Sequence, residues 1–343
     1  MRIFHDPGHS AHESLSEMHM GRLVRCFECP ERMDYILSAL SQGGFAAPEA
    51  PAPVPRALLE RVHDSAYLAF LESAHARWRA AYDTPEAISF TYPLPGLRRS
   101  KAPEEIAGAL GHYNFSVDTC ITAGTWGAAL GSAGCAHTAA AAVAGGETSA
   151  FALARPPGHH AHADLYGGYC FLNNAGIAVE TLIEGGAARV ALLDIDYHHG
   201  NGGQAIFYAR NDVLFLSLHA DPNQEFPYFL GHAEETGTGR GEGFTQNYPM
   251  RWGTDYAGWG EALDAACQRI TAYAPDALVV SLGVDTFEAD PISQFRLKTT
   301  DFPKAGARIA KLGLPTIFIM EGGYAIEALG INVAGVLGGY LGK

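Results

Sequence analysis

Short runs of apolar and β-branched residues recur along the chain, each bounded by residues that favour turns. The six runs are Arg2–His5, Ser149–Ala154, Arg189–Leu193, Val213–Leu218, Ala277–Leu282 and Pro315–Met320. Such continuous hydrophobicity is typical of strands buried on both faces of a parallel sheet. Segments with helical periodicity lie mostly between them, at Pro30–Ser41, Ala139–Ala144, Asn174–Ile183, Trp259–Tyr273 and Phe302–Lys311. The pattern predicts an α/β fold with a mostly parallel, multi-stranded sheet flanked by helices.

One long segment, Tyr82–Glu105, breaks this alternation. It contains four prolines, shows no sustained period and carries Arg98, Arg99 and Lys101 close together. A loop of this length inside a compact domain is usually functional or disordered. Pro48–Pro55 is a shorter connector that we interpret as a surface linker. We therefore predict a single domain over residues 1–343 with a long loop insertion at about 82–105.

Composition narrows the classes of function. The 343 residues are 48% hydrophobic and carry a formal net charge of −14. This negative charge disfavours a nucleic-acid partner and suits a cationic substrate. An acidic surface can also serve solubility alone. The N-terminal residues do not resemble a secretory signal, and no uncharged apolar stretch reaches eighteen residues, so we expect a soluble, cytoplasmic protein without membrane contact. The six scattered cysteines fit reduced thiols.

Candidate chemistry follows the ends of the predicted strands, where parallel sheets bind ligands. In Asp194-Ile-Asp196-Tyr-His198 the three polar side chains point to one side of an extended chain. Two carboxylates and an imidazole suit a catalytic zinc or iron(II) ion. Asp285 follows another strand and is the candidate for a further ligand, although an isolated Asp there could instead cap a helix.

The adjacent His159 and His160 are candidates for acid–base catalysis. Each ring needs a second group to orient it, and Asp194 and Asn201 are available. Tyr324 follows two glycines at a strand end, where its hydroxyl could donate to a developing oxyanion or simply pack in a turn.

Six motifs occur in a characteristic order. They are R-P-P-G-H-H at 155–160, G-G-Y-C-F-L-N-N at 167–174, D-I-D-Y-H-H-G-N-G at 194–202, S-L-H at 217–219, G-V-D-T-F at 283–287 and E-G-G-Y at 321–324. Together they resemble the zinc-dependent histone deacetylase superfamily, which has the arginase–deacetylase fold. The long loop and the segments 124–127, 226–237 and 284–292 resemble bacterial acetylpolyamine amidohydrolases.

This resemblance implies two kinds of metal site. Zinc, or iron(II) or cobalt(II) in its place, would be bound by Asp196, His198 and Asp285. A structural potassium ion would be bound at Asp194, Ser217 and Leu218, together with Asp196 and His198, mostly through carbonyl oxygens.

The resemblance also implies the catalytic roles. His159 and His160 would be the tandem histidines, with His160 as the general base, Asp194 orienting His159, and Tyr324 polarising the acetyl carbonyl. Asn201 stands where many histone-directed members have Asp, so His160 would be less stabilised as an imidazolium.

Substrate contacts are expected from the loops around the site. The candidates are Tyr169, Cys170, Phe226, Asp118 and Glu17, and Phe226 could equally be a core residue. One acidic position that we associate with polyamine recognition falls on Ala107, which leaves Asp118 or Glu17 to bind the second amine. The loop at 82–105 is implied to form a homodimer that narrows the entrance.

The predicted function is hydrolysis of a small acetylated amine, an acetylated polyamine or a diamine derivative such as N-acetylputrescine or N-acetylcadaverine. The main alternative is a protein acetyl-lysine deacetylase with the same machinery. A dimanganese ureohydrolase would need further Asp and His ligands, and a catalytically inactive binding module would not need to retain every catalytic residue type.

Overall fold

The computed structural model describes residues 1–343 and contains nine strands and ten α-helices. The strands are β1 (Arg2–Phe4), β2 (Glu17–His19), β3 (Arg22–Val24), β4 (Ser149–Ala152), β5 (Val190–Asp194), β6 (Val213–Ala220), β7 (Thr245–Met250), β8 (Ala277–Leu282) and β9 (Thr316–Met320). The helices are α1 (Glu31–Gln42), α2 (Arg56–Val62), α3 (Ser65–Ala81), α4 (Ile106–His112), α5 (Thr125–Ala144), α6 (Asn174–Glu184), α7 (Asn201–Phe207), α8 (Tyr256–Tyr273), α9 (Phe302–Ala310) and α10 (Ile326–Leu341).

Seven strands form one sheet in the order β1-β4-β9-β8-β5-β6-β7, and every neighbouring pair is parallel. Hydrophobic cores cover both of its faces. This confirms the predicted α/β class, and each of the six apolar runs contributes a strand. The seventh strand, β7, was not predicted because it is an edge strand of mixed polarity that contains Pro249. Strands β2 and β3 form a separate antiparallel hairpin.

All five predicted helical segments are helical, but α5 begins at Thr125 rather than at Ala139. Its first half is rich in alanine and glycine and is buried around much of its circumference, so it lacks the polar face that gives a helix its period. No helix combines the length and the apolar character needed to cross a membrane.

The segment between α3 and α4 contains neither helix nor strand. It is attached at several points: Ala87 forms a bridge with Ile121, the Trp78 indole donates to Thr84, and Arg99 pairs with Asp164 at 2.9 Å. Farther along the segment, three large apolar side chains are exposed, namely Phe90, Leu94 and Leu97. The loop therefore presents apolar surface that the chain itself does not cover.

Because the strands are parallel, their carboxyl ends meet at one edge of the sheet. Asp194 ends β5 and lies opposite both Ser217 of β6 and Ser281 of β8 in the strand register. Asp285 follows β8, and Glu321 follows β9. The sheet thus brings distant parts of the sequence to a single place.

Candidate active site

Three side chains form a compact group of metal-ligand type beyond β5 and β8. Donor atoms of Asp196, His198 and Asp285 all lie within 4.8 Å of one another, and the three residues are buried. The His198 Nδ1 is 3.1 Å from an oxygen of Asp285 and 3.5 Å from one of Asp196. The structure therefore brings together the residues that the sequence predicts as zinc ligands.

Backbone groups hold the two carboxylates in place. The Gly322 N–H donates to Asp196 Oδ2 at 2.8 Å, and the Tyr197 N–H donates to Asp285 Oδ1 at 2.9 Å. A Cβ atom on Gly283 would lie 2.0 Å from Asp196 Oδ2, and one on Gly322 would lie 2.5 Å from oxygens of both carboxylates. Only glycine leaves room for the carboxylates at these two positions.

The electrostatics of this group favour a bound cation. Burial and the nearby Asp196 charge raise the pKa of Asp285 to about 8. Burial also opposes ionisation of Asp196, but the charges and hydrogen bonds of the neighbouring histidines hold its pKa below the usual range. Two carboxylates in one buried space repel each other. The group offers two carboxylates and one imidazole, and backbone N–H groups hold the carboxylate oxygens in place. This set of ligands fits a divalent ion such as zinc or iron(II).

The tandem histidines lie beside this group, with ring centroids 4.0 Å apart. His159 Nδ1 is 3.0 Å from Asp194 Oδ2, and His160 Nδ1 is 2.5 Å from Asn201 Oδ1. Burial lowers the pKa of His159, but the charges of Asp196 and Asp194 outweigh it and raise that pKa to about 10. Burial and the His159 charge hold the pKa of His160 well below its usual value. One histidine is thus favoured as the cation and the other as a neutral base.

The buried carboxylate of Glu321 fixes the backbone of the histidine motif. Its Oε2 accepts the N–H groups of Gly158 at 2.7 Å and His159 at 3.1 Å. Glu321 also forms a second donor group with His159 and Cys170. Because its carboxylate is occupied by these N–H groups, we interpret Glu321 as a structural support for the histidines. The sequence marks it only as the first residue of the E-G-G-Y motif.

A buried arginine supports Tyr324. The Arg32 guanidinium lies 4.9 Å from the centroid of the Tyr324 ring and donates to the carbonyl oxygens of Glu321 and Gly323. Arg32 also pairs with Glu28 at 2.8 Å, and Arg155 reaches the same Glu28 oxygen at 2.8 Å. No pattern in the sequence predicts this buried arrangement, because Arg and Glu are usually surface residues.

A cavity of about 430 Å³ leads to this group of residues. His160, His198 and Tyr324 border it, as do Tyr169 and Phe226. Its other lining residues include three acids, Glu17, Asp118 and Glu225, and neither lysine nor arginine. The structure therefore places Phe226 at the wall of the cavity, where its ring stacks on Phe115 with centroids 5.9 Å apart.

Other predicted residues lie apart from the cavity. Cys170, expected to contact substrate, is fully buried and does not line the cavity, because its thiol turns towards His159 and Glu321. Ala107 lies in the first turn of α4, is buried in a hydrophobic core and does not line the cavity. Ser217 lies beside Asp194, and its Oγ is 2.9 Å from His219 Nδ1.

The chain resembles known proteins over its whole length. The histone deacetylase domain model matches residues 26–339. Acetylpolyamine amidohydrolase 1 of Pseudomonas aeruginosa is 54% identical, covering 97% of each chain, and the acetylpolyamine amidohydrolase of Mycoplana ramosa is 48% identical, covering 100% of each. The crystal structure of acetylpolyamine aminohydrolase from Burkholderia pseudomallei superposes with a TM-score of 0.95 at 40% identity, covering 99% of this chain and 98% of that one.

Proposed function

Because the chain belongs to the histone deacetylase family, it is a metal-dependent hydrolase of amide bonds, and we propose that it removes the acetyl group from acetylated polyamines or diamines. The names of the relatives given above contain acetylpolyamine as the substrate class. The observation in this chain that supports the proposal most is the charge of the cavity.

Asp118 and Glu225 give the cavity wall negative charge, and Glu17 adds to it as its carboxyl group ionises above a pKa of about 7, with no lysine or arginine to offset it. A polyamine with one acetylated end keeps a cationic amine at the other, which such a wall would attract. The aromatic side chains of Tyr169 and Phe226 offer apolar surface for the alkyl chain between the two ends. A cavity that combines acidic and aromatic side chains fits a linear acetylated amine.

The side chains suggest how the amide is cleaved. Asp196, His198 and Asp285 would hold zinc, or iron(II) or cobalt(II) in its place, which when bound supplies a Lewis acid for the acetyl carbonyl. Neutral His160 takes the proton of the attacking water, while the Tyr324 hydroxyl donates to the developing oxyanion. A protonated histidine then donates to the leaving amine. The partners of the two rings support this division of roles, because His159 is paired with the carboxylate of Asp194 and His160 with the neutral amide of Asn201.

We also propose the potassium site that the sequence predicts at Asp194, Ser217 and Leu218. The strand register supports it, because Asp194 and Ser217 are direct neighbours across β5 and β6. Dialysed protein should retain potassium by elemental analysis.

The homodimer is a further part of the proposal. Phe90, Leu94 and Leu97 of the long loop are 71%, 65% and 62% exposed, while Met20 and Phe229 are each 89% exposed. Met20 also lines the cavity that leads to the site. Large exposed apolar side chains of this kind favour a protein interface, and a second copy of the chain would cover them.

A substrate panel on metal-reconstituted protein tests the function. Acetylated diamines, acetylated polyamines and acetyl-lysine peptides should be compared by kcat/KM, and we expect the diamines and polyamines to be preferred. Higher kcat/KM on the peptides would favour the protein deacetylase instead.

A further inference from the structure

The side-chain amide of Asn201, at the start of α7, lies between two histidines. Its Oδ1 is 2.5 Å from His160 Nδ1, and its Nδ2 is 2.8 Å from His162 Nε2. An amide oxygen can only accept a hydrogen bond, and an amide nitrogen can only donate one. In this arrangement His160 carries a proton on Nδ1, and His162 presents an unprotonated Nε2.

The position of that proton determines what His160 can do. With Nδ1 protonated and the ring neutral, Nε2 keeps a free lone pair and can accept a proton. If the Asn201 amide were turned over, its NH₂ group would donate to Nδ1, and the neutral ring would carry its proton on Nε2. A carboxylate in place of the amide could only accept, so the choice of orientation exists because residue 201 is Asn.

We propose that His162 is a positioning residue that keeps the Asn201 amide in the orientation required by His160. The His162 Nε2 accepts a hydrogen bond from Asn201 Nδ2. The Asn201 Oδ1 is then directed at His160 and accepts from its Nδ1. The inference rests on the proposed deacetylation, in which His160 is the base.

The backbone around His162 is held in place, which gives its ring a defined position. The His162 N–H donates to the Leu165 carbonyl oxygen at 2.9 Å, and its own carbonyl oxygen accepts from His63 Nδ1 at 2.9 Å. The first turn of α7 packs closely on this loop, because a Cβ on Gly202 would lie 2.2 Å from the Ala161 carbonyl oxygen. Asn201 and His162 are therefore brought together by the packing of two fixed segments.

Two substitutions separate this role from simple packing. His162→Phe keeps a planar ring but removes the hydrogen-bond acceptor. We expect kcat to fall about tenfold, because the variant should lose only part of the ~10²–10⁴-fold rate gain that general-base catalysis supplies. KM and metal content should stay close to those of the parent. His162→Gln supplies an amide oxygen that can accept from Asn201, and it should recover most of the lost kcat.

A second background tests the route through Asn201. In Asn201→Asp protein the carboxylate accepts from His160 in either orientation, so adding His162→Phe should lower kcat by less than about twofold. An equal loss in both backgrounds would overturn the proposal, as would a parent-like kcat in the single His162→Phe variant.

Nitrogen-15 NMR of the histidine side chains gives a readout that does not depend on activity. In metal-free and in metal-loaded protein we expect the Nδ1-protonated tautomer of His160, assigned by comparison with a His160 variant. We expect a mixed or Nε2-protonated tautomer in His162→Phe. The same His160 tautomer in the parent and in His162→Phe would refute the positioning role. If the parent cleaves no acetylated amine, the proposed function is refuted, but the comparison of tautomers still tests the positioning role.

Discussion

The guanidinium of Arg32 lies 4.9 Å from the centroid of the Tyr324 ring, and the same side chain is paired with Glu28 in a fully buried position. Removing Arg32 would leave the Glu28 carboxylate in the interior with Arg155 as its remaining ionic partner. We expect Arg32→Ala to lower the free energy of unfolding by about 3–5 kcal/mol, measured by chemical denaturation.

Arg25→Ala is the matched control. Arg25 pairs with Glu31 at 2.6 Å, but its side chain is 73% exposed, so its loss should lower the free energy of unfolding far less than the loss of Arg32 does. Similar losses in the two variants would contradict the importance of the buried pair.

Tyr324→Phe should keep the bound metal and lose activity. The substitution removes one donor to the developing oxyanion, and kcat should fall by roughly 10²–10³-fold while elemental analysis shows unchanged metal content. Tyr273→Phe removes a hydroxyl bonded to the Asn211 carbonyl oxygen outside the cavity and should leave kcat near that of the parent. Turnover of acetylputrescine within a few-fold of the parent would disprove the role given to Tyr324.

His198→Ala and Asp285→Asn should lower the metal content instead, because each removes a donor from the buried group. Metal is measured by elemental analysis after dialysis. Asp118→Asn changes a cavity acid outside this group and should retain metal. Full occupancy in both His198→Ala and Asp285→Asn would place the metal elsewhere.

The pKa of Glu17 predicts a pH dependence of stability. Burial raises this pKa from 4.5 to about 7, against hydrogen bonds that include the one from the Tyr169 hydroxyl. Between these two pH values the folded state binds more protons than the unfolded state, so the stability contributed by Glu17 is present below about pH 4.5 and is lost as the pH rises through 7.

Glu17→Gln removes this titration. Relative to the parent it should therefore gain stability between about pH 4.5 and 7, by at most about 3 kcal/mol. Denaturation curves recorded across that range provide the measurement. A difference between variant and parent that does not change with pH would show that Glu17 keeps an ordinary pKa.

Replacing residues 84–102 by a short Gly/Ser linker tests the proposed dimer. The replacement removes the exposed apolar side chains of the loop, so light scattering should show a monomer. A wider entrance should raise activity on acetyl-lysine peptides relative to acetylated diamines. A variant that stays dimeric, with an unchanged ratio of the two activities, would refute both roles of the loop.

Parts of the fold with a strong local signal could be predicted from the sequence. The buried run at Ala277–Leu282 has the predicted bounds, whereas the edge strand Thr245–Met250 was missed because it is only partly buried, has several polar residues and contains Pro249. The contiguous metal and histidine motifs were also predictable. Their supports were not, because Glu321 meets Gly158 across 163 positions and nothing local to either residue indicates that contact.

The division between the end of the sheet and the loops above it has a consequence for protein engineering. Asp196, His198 and Asp285 follow central strands and lie against Gly283 and Gly322, which leave no space for larger side chains. Much of the remaining cavity wall is instead formed by the β2–β3 hairpin at 17–20 and by connecting segments around residues 116–118, 224–228 and 291–294. Libraries randomised in these four segments should therefore yield altered substrate selectivity while the hydrolytic machinery stays intact.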